Sequence, residues 1–545
     1  MWPWRRAGVS KTLLCVCMLA MFGVLYLHRQ IMTRGILQTT RLYLVVTQWS
    51  RTNANLGSTE EPRRFLSEEE ILRNPLDIDL KTVTDPLLSR FFLHGQTTFS
   101  LNDTIQVRIE TYDSYGIRRT SGGDFFRLWM EEPGLRANVS GDVIDHNNGS
   151  YTGILRASWA GTPTIFCYVE KRKEEIALIY RKYHQYDTLW NAHADFFNGV
   201  AVESTLCFTR PMPPAEYCNL TADNGDLPYY CVQPLHPDLN CSMVVSVWSY
   251  RRRIPLSPAE KLVYDLSLDK EKDIFRQNIS VNISRGPENQ SALSSTTPCK
   301  AVSSSDTWRN EAPSGFFYKG AWIPRLCAMT VPITEPAYSA CLKNRSLWIS
   351  GDSTSMQIMT EMNNVLRVVP AVTRTHEPKI IRHPHYNYSI HWNAHEFPYF
   401  PGLLHYPKAY IKPESHHFDK IPNDSRDIIV LYLNTHFILV HPDVFRRHIK
   451  KLVSRTRALT QRAPNVVIAV RGPHAYYKQM YQEMYSYWGL VFRDILHEEF
   501  RPLYDRVIFL DFWDMSVALG LPDFHPSPAI VRTMTQSMMG YICRG

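Results

Sequence analysis

Ser346-Leu347-Trp348-Ile349-Ser350-Gly351-Asp352-Ser353-Thr354-Ser355-Met356 is the stretch on which the reading of this chain turns. A short apolar run enters it, Gly351 and Asp352 supply turn chemistry, and Thr354 to Met359 reads as the start of a helix. A serine on such a strand-to-helix turn is held out of the core with its hydroxyl exposed. Its own N–H then sits at a helix N-terminus, where a developing oxyanion is stabilised. Far downstream, Pro522-Asp523-Phe524-His525-Pro526 offers an imidazole as base. Together they predict a serine acyl-transfer centre; the bland alternative is a surface turn, since Gly, Asp and Ser are all turn residues.

The surrounding pattern favours the first reading. From about residue 306 to the end, strands and helices alternate. Asp427 to Leu433 is a continuous apolar run, expected of a parallel strand buried on both faces. Phe445, Ile449, Leu452 and Val453 follow at helical spacing, then a strand at Val466 to Val470 and a helix near Met480 to Leu496. A strand at Val507 to Leu510 and a helix from Pro528 to about Met539 complete the set. This predicts a three-layer α/β sandwich around a mostly parallel sheet, with the ligand at the strand C-terminal ends. Those ends carry Asp352 and Ser353, then Asn434-Thr435-His436, then Arg471-Gly472-Pro473-His474, then Asp511 and Asp514.

Toward the N-terminus the period changes from helical to two. Thr104 to Ile109 alternates, as does the stretch from Gly149 to Leu155, and turn residues recur at about ten-residue spacing. Residues 86–200 therefore predict a β-sandwich, and Asn147-Asn148-Gly149-Ser150-Tyr151 followed by Ser158-Trp159-Ala160-Gly161 resembles a filamin-type immunoglobulin-like repeat. Residues 201–305 hold five cysteines and several prolines and predict a disulfide-stapled connector, leaving 306–545 as the catalytic unit. Residues 31–85 are polar and charged and read as a stem. The first thirty residues carry an address: Thr12 to Leu27 is free of charge, with Arg5, Arg6 and Lys11 before it and His28 and Arg29 after it. That predicts a short cytoplasmic tail and a type II signal-anchor over 12–27, with the body in the ER or Golgi lumen; secretion is the alternative.

Composition agrees with that compartment. Eleven Asn-x-Ser/Thr sequons follow the anchor, and nine of the 11 cysteines lie beyond it without a Cys-x-x-Cys pair. Disulfides are expected rather than zinc, with Cys167 the odd thiol. The net charge of +8 is spread over 60 basic and 52 acidic side chains, with Arg251-Arg252-Arg253 the one tight basic run. Nucleic acid is set aside on that ground. Eight histidines between Arg374 and His417, among them His383, His385, His391 and His395, match no metal-ligand spacing. No metal site is expected, and the interleaved Tyr386, Tyr388, Trp392, Phe397, Tyr399 and Phe400 suggest a lid over a substrate.

The motifs Gly122-Gly123-Asp124-Phe125, Asn147-Asn148-Gly149-Ser150-Tyr151, Gly351-Asp352-Ser353-Thr354 and His525-Pro526 after Trp513-Asp514 together resemble the NXPE family (neurexophilin and PC-esterase domain proteins) over roughly residues 86–545. Its PC-esterase domain is a branch of the SGNH (GDSL-like) superfamily of hydrolases and acyltransferases. The resemblance implies Ser353 as nucleophile, His525 as base, and an oxyanion hole made by the Ser353 N–H and the Asn434 amide. The superfamily spacing is Asp-x-x-His, whereas this chain has Asp523-x-His525, so Asp511 and Asp514 stay open as the orienting acid. Arg471, His436, His474, Trp392 and Arg382 are the candidate substrate contacts, a guanidinium suiting a sugar carboxylate. The resemblance further implies O-acetyl transfer from acetyl-CoA to a glycan hydroxyl on a glycoprotein or glycolipid, with sialic acid a candidate acceptor. A carbohydrate O-acetyl esterase uses the same residues. A third reading is an inactive membrane-tethered or secreted glycoprotein that binds a protein partner through its immunoglobulin-like half.

Overall fold

The computed structural model describes residues 67–544 apart from positions 74, 76–77, 94, 213, 252–253, 267–274, 276–277, 286–294, 310, 370–376, 396–401, 434 and 478–485. The expected signal-anchor over 12–27, most of the stem, Asn434, Phe397, Tyr399 and Phe400 lie outside the described residues. Among the described residues no helix is long and apolar enough to cross a membrane.

The C-terminal sheet is built from six strands: β1 (Ser346–Gly351), β2 (Lys379–His383), β3 (Tyr388–Ala394), β4 (Ile428–Tyr432), β5 (Val467–Arg471) and β6 (Val507–Leu510). Their order is β2-β3-β1-β4-β5-β6, parallel throughout except for the antiparallel edge strand β2. β4 is buried at every position. Its odd and even residues feed two different cores: Ile428, Val430 and Tyr432 pack into one, Ile429 and Leu431 into the other. Side chains alternate across a strand, so a continuous apolar run means a covered face on each side.

The covers are helices. Helices α1 (Ser353–Leu366) and α5 (Pro528–Ile542) supply Met356, Met359, Met362, Val531, Met534 and Met538 to the first core. On the opposite face α2 (Pro442–Arg462) and α3 (Tyr487–Phe500) supply Val444, Phe445, Ile449, Leu490 and Phe492 to the second. The short α4 (Trp513–Ala518) follows β6 directly. The layers are thus helix, sheet, helix, and the loops at the C-terminal strand ends are free to form a site.

Toward the N-terminus, a four-stranded sheet (Arg90–Leu93, Thr104–Glu110, Ser150–Arg156, Asp142–Asp145) closes on a six-stranded one over a third core. Ile105, Val107 and Ile109 face Leu128, Met130, Ile165 and the buried free thiol Cys167 across it. The sheets cut across the expected limits at 200 and 306. Gly315–Tyr318 and Ala321–Pro324 complete the six-stranded sheet of this sandwich. Trp190–Phe197 joins a separate six-stranded sheet with Val202–Phe208, Val244–Arg251 and Gly402–Pro407. Strand pairing is decided by long-range edges, which spacing along the chain does not reveal.

Among the described residues four disulfides are present: Cys207–Cys231, Cys218–Cys241, Cys299–Cys327 and Cys341–Cys543. The last ties the region before β1 to the end of α5. Buried polar bonds also key the N-terminal sandwich to the C-terminal layers. Arg127 pairs with Glu170 and donates to the Tyr476 carbonyl and the Ser486 hydroxyl, while Asp514 accepts from Ser140 Oγ and from the Ser314 N–H.

Candidate active site

The turn between β1 and α1 is fixed by its residues. Gly351 has φ of 155°, and a Cβ there would lie 2.4 Å from Cβ of Tyr432 on the neighbouring strand β4. Only glycine lets the chain leave the sheet this closely. Asp352 caps the helix: one carboxylate oxygen accepts from the Thr354 N–H (2.8 Å) and hydroxyl (2.6 Å). The other accepts from the Thr435 N–H (2.8 Å), pinning the loop after β4. Burial by itself raises the Asp352 pKa, yet the charges of His436, His395 and Arg471 and the Thr354 hydrogen bond outweigh it and hold the carboxyl far below its ordinary range.

Ser353 follows as the first residue of α1, so its N–H has no helical carbonyl to bond. Its Oγ stands 2.7 Å from His525 Nε2, a hydrogen-bond distance spanning 172 residues of sequence. Ser353 is half-buried and His525 exposed, so the pair faces solvent. This is the arrangement a serine nucleophile and its general base require.

The acids divide. Asp523 is exposed on the His525 loop. Asp514 is buried, with one oxygen accepting from Ser140 and the other from the Ser314 N–H, so it braces the N-terminal sandwich. Asp511 accepts from the Trp513 N–H at the start of α4 and lines a cavity of about 320 Å³ with Trp308, Arg493 and His497.

Four of the five expected substrate contacts are buried, and Arg382 alone is exposed. Trp392 is 1% exposed and donates from Nε1 to Ser355 Oγ (2.7 Å), a strut inside the core of α1. Arg471 is likewise 1% exposed, with its guanidinium over the rings of Tyr432 (5.1 Å) and Phe512 (5.5 Å). His474 is buried between Arg471 and the Phe524 carbonyl. His436 is buried with Nδ1 2.8 Å from His395 Nε2, and His395 in turn faces Glu414 at 3.8 Å. Arg382 is exposed, but it pairs with Ser389, which pairs with Ser346 at the start of β1. It therefore lies level with the opposite end of the sheet from Ser353.

The histidine-rich stretch is not a lid where it is described. Lys379–His383 and Tyr388–Ala394 form the sheet edge, and Trp348 is sandwiched between the rings of His391 (4.0 Å) and His417 (4.7 Å). Burial lowers both imidazoles, His391 to about 4 and His417 to about 3, so the stack is neutral. Among the described residues Glu68, His184 and His441 bring ligand-type atoms within 4.8 Å of one another, a group that shares no residue with the Ser353 pair.

One residue of the site escaped the sequence reading altogether. Gln357 lies one turn beyond Ser353 on α1 and donates from Nε2 to the Pro526 carbonyl (3.0 Å). The i, i+4 spacing from the serine was its one signal.

Fold and geometry define a serine–histidine centre at the strand ends of a three-layer α/β domain. Residues 322–543 match the family model described as NXPE family member 4-like, C-terminal domain, a match that supports membership of the NXPE family. The family suggests a PC-esterase-like hydrolase and acyltransferase superfamily. A solved crystal structure is similar over 36% of this chain and 95% of that chain, at 11% identity and a TM-score of 0.23; so low a score carries no argument.

Proposed function

We propose that the C-terminal domain is a serine O-acyltransferase of the SGNH type that moves acetyl from acetyl-CoA to a glycan hydroxyl, with sialic acid among the candidate acceptors. The observation that carries this reading is the 2.7 Å approach of Ser353 Oγ to His525 Nε2 at the start of a helix and in view of solvent.

In the first half-reaction Ser353 Oγ attacks the thioester carbonyl carbon while His525 Nε2 takes the hydroxyl proton. Negative charge collects on the carbonyl oxygen beside the Ser353 N–H and the positive end of α1. The carbon–sulfur bond breaks, and the thiol leaves with the proton from His525. In the second half the sugar oxygen attacks the acyl-serine, gives its proton to His525, and displaces Ser353 Oγ, which takes that proton back. In the esterase reading an O-acetylated sugar acylates Ser353 and leaves as its hydroxyl with the proton from His525, and water then takes the acyl group from the serine. Asp523, on the His525 loop, is the acid we assign to orient the imidazole, and Asn434 would add a second donor to the oxyanion.

The N-terminal sandwich is read as an immunoglobulin-like module that spaces the domain or holds a protein partner. A lumenal setting accords with the four disulfides among the described residues. The test is to incubate the full-length chain and its Ser353→Ala variant with labelled acetyl-CoA and a sialylated glycan. Label entering the glycan only with Ser353 intact supports transfer. Release of acetyl from a pre-acetylated glycan without donor supports the esterase, and turnover in neither direction overturns both.

A further inference from the structure

His525 stands on the loop between α4 and α5, exposed and outside any strand or helix. Secondary structure does not hold it, yet the carbonyls immediately before and after it are both engaged by side chains. His474 Nε2 lies 2.8 Å from the Phe524 carbonyl oxygen, and Gln357 Nε2 donates to the Pro526 carbonyl at 3.0 Å.

The direction of the first bond is forced by its neighbour. A guanidinium only donates. Arg471 Nη2 lies 2.8 Å from His474 Nδ1, so Nδ1 holds a lone pair. Burial, reinforced by Arg471, lowers the His474 pKa to about 3, and the ring is neutral. A neutral imidazole bare at Nδ1 carries its proton at Nε2, which faces an oxygen that only accepts. Arg471 thereby selects the tautomer that grips Phe524. The second grip comes from α1 itself, since Gln357 sits one turn beyond Ser353 on the same face.

We infer that His474 and Gln357 are positioning residues, a two-point clamp that holds the His525 loop in register with Ser353. The inference rests on the reading of Ser353 and His525 as the reacting pair. It explains why the helix that presents the nucleophile also reaches the loop that presents the base. A displacement of about 1 Å at a reacting group costs on the order of 100-fold in rate, so the clamp acts on kcat.

The test uses substitutions that separate the grip from mere packing. A Gln amide at 474 reaches the position of imidazole Nε2 and still donates to Phe524. An Asn reaches only as far as Nδ1, accepts from Arg471 and leaves the Phe524 carbonyl bare. In the full-length chain, with p-nitrophenyl acetate as probe, His474→Asn is expected to lower kcat about 100-fold. KM should stay within about threefold, since uniform binding is untouched. His474→Gln is expected to recover most of the loss, and Gln357→Leu, near the shape of Gln without its donor, to lower kcat about tenfold. Hydrogen exchange of the 519–530 peptide gives a readout that does not depend on activity, and it should quicken in His474→Asn and Gln357→Leu but not in His474→Gln. Unchanged exchange in both Asn and Leu variants, or equal kcat for the Asn and Gln variants, overturns the clamp. A wild-type chain that neither turns over the ester nor labels at Ser353 with a fluorophosphonate, while exchange still quickens in the variants, sinks the acyl-transfer reading and leaves the clamp standing.

Discussion

The two sides of the Ser353–His525 pair are built by different means. The serine side is local: a buried strand, a glycine that alone fits against Tyr432, an aspartate cap and a helix follow one another within eleven residues. The histidine side is assembled from afar, by an exposed loop whose carbonyls are held by His474 from the end of β5 and Gln357 from α1. The contrast teaches that the serine of such a pair can be placed by backbone rules, whereas its histidine is placed by side chains that have no reason to be near it in sequence.

Removing a reacting group on either side should cost most. Ser353→Ala or His525→Ala is expected to lower the proposed acetyl transfer roughly a thousandfold or more, with the melting temperature unchanged because neither side chain is in a core. Equal losses would show that the two sides act as one unit.

The backbone of the serine side is the next to break. Gly351→Ala drives a methyl group into Tyr432 at 2.4 Å, and its φ of 155° is one that side-chain-bearing residues rarely adopt. The expected result is a rate about 100-fold lower and a stability loss of about 1–3 kcal/mol, read by turnover and thermal unfolding. A tolerated alanine would mean the turn is held by its surroundings, as the His525 loop is.

The cap beneath the serine offers a test by pH. The Asp352 pKa in the fold lies below its ordinary 3.8, so the charged carboxylate stabilises the fold above that pH and ceases to as pH falls through the folded value. Asp352→Asn leaves the buried Arg471 guanidinium without its counter-charge, and should lower stability by about 3 kcal/mol at neutral pH. The gap to wild type is expected to close as pH falls below about 4 in a series of thermal melts. A gap independent of pH would assign the effect to hydrogen bonding alone.

Asp523→Asn should be mildest. An exposed carboxylate interacts through solvent and is screened, so a loss of about tenfold in kcat is expected. A loss near that of His525→Ala would make the histidine side as closely supported as the serine side.

Both members of the pair were legible because each sits beside short-range signals: Gly351-Asp352 before a helix for one, an Asp-x-His-Pro stretch before Pro528 for the other. The burial of the expected substrate contacts was not. Arg471, His474, His436 and Trp392 sit at strand ends where a sheet of this kind presents its ligand groups, but each side chain turns inward and is buried. Strand position predicts proximity to a site, while the direction of a side chain depends on what packs around it. The histidine-rich stretch misled in the same way, since Trp348 between two neutral imidazoles leaves no trace in spacing.

By itself the sequence determined the periodicities, hence the parallel sheet with both faces covered, the strand-to-helix turn at Ser353 and the supply of cysteines for disulfides. Those follow from interactions over a few residues, which local chemistry dictates. Which strands share a sheet, which acid is spent on bracing, and which groups hold the His525 loop were settled only when distant segments met. Such contacts join side chains up to several hundred residues apart, and their geometry exists only once the cores have packed.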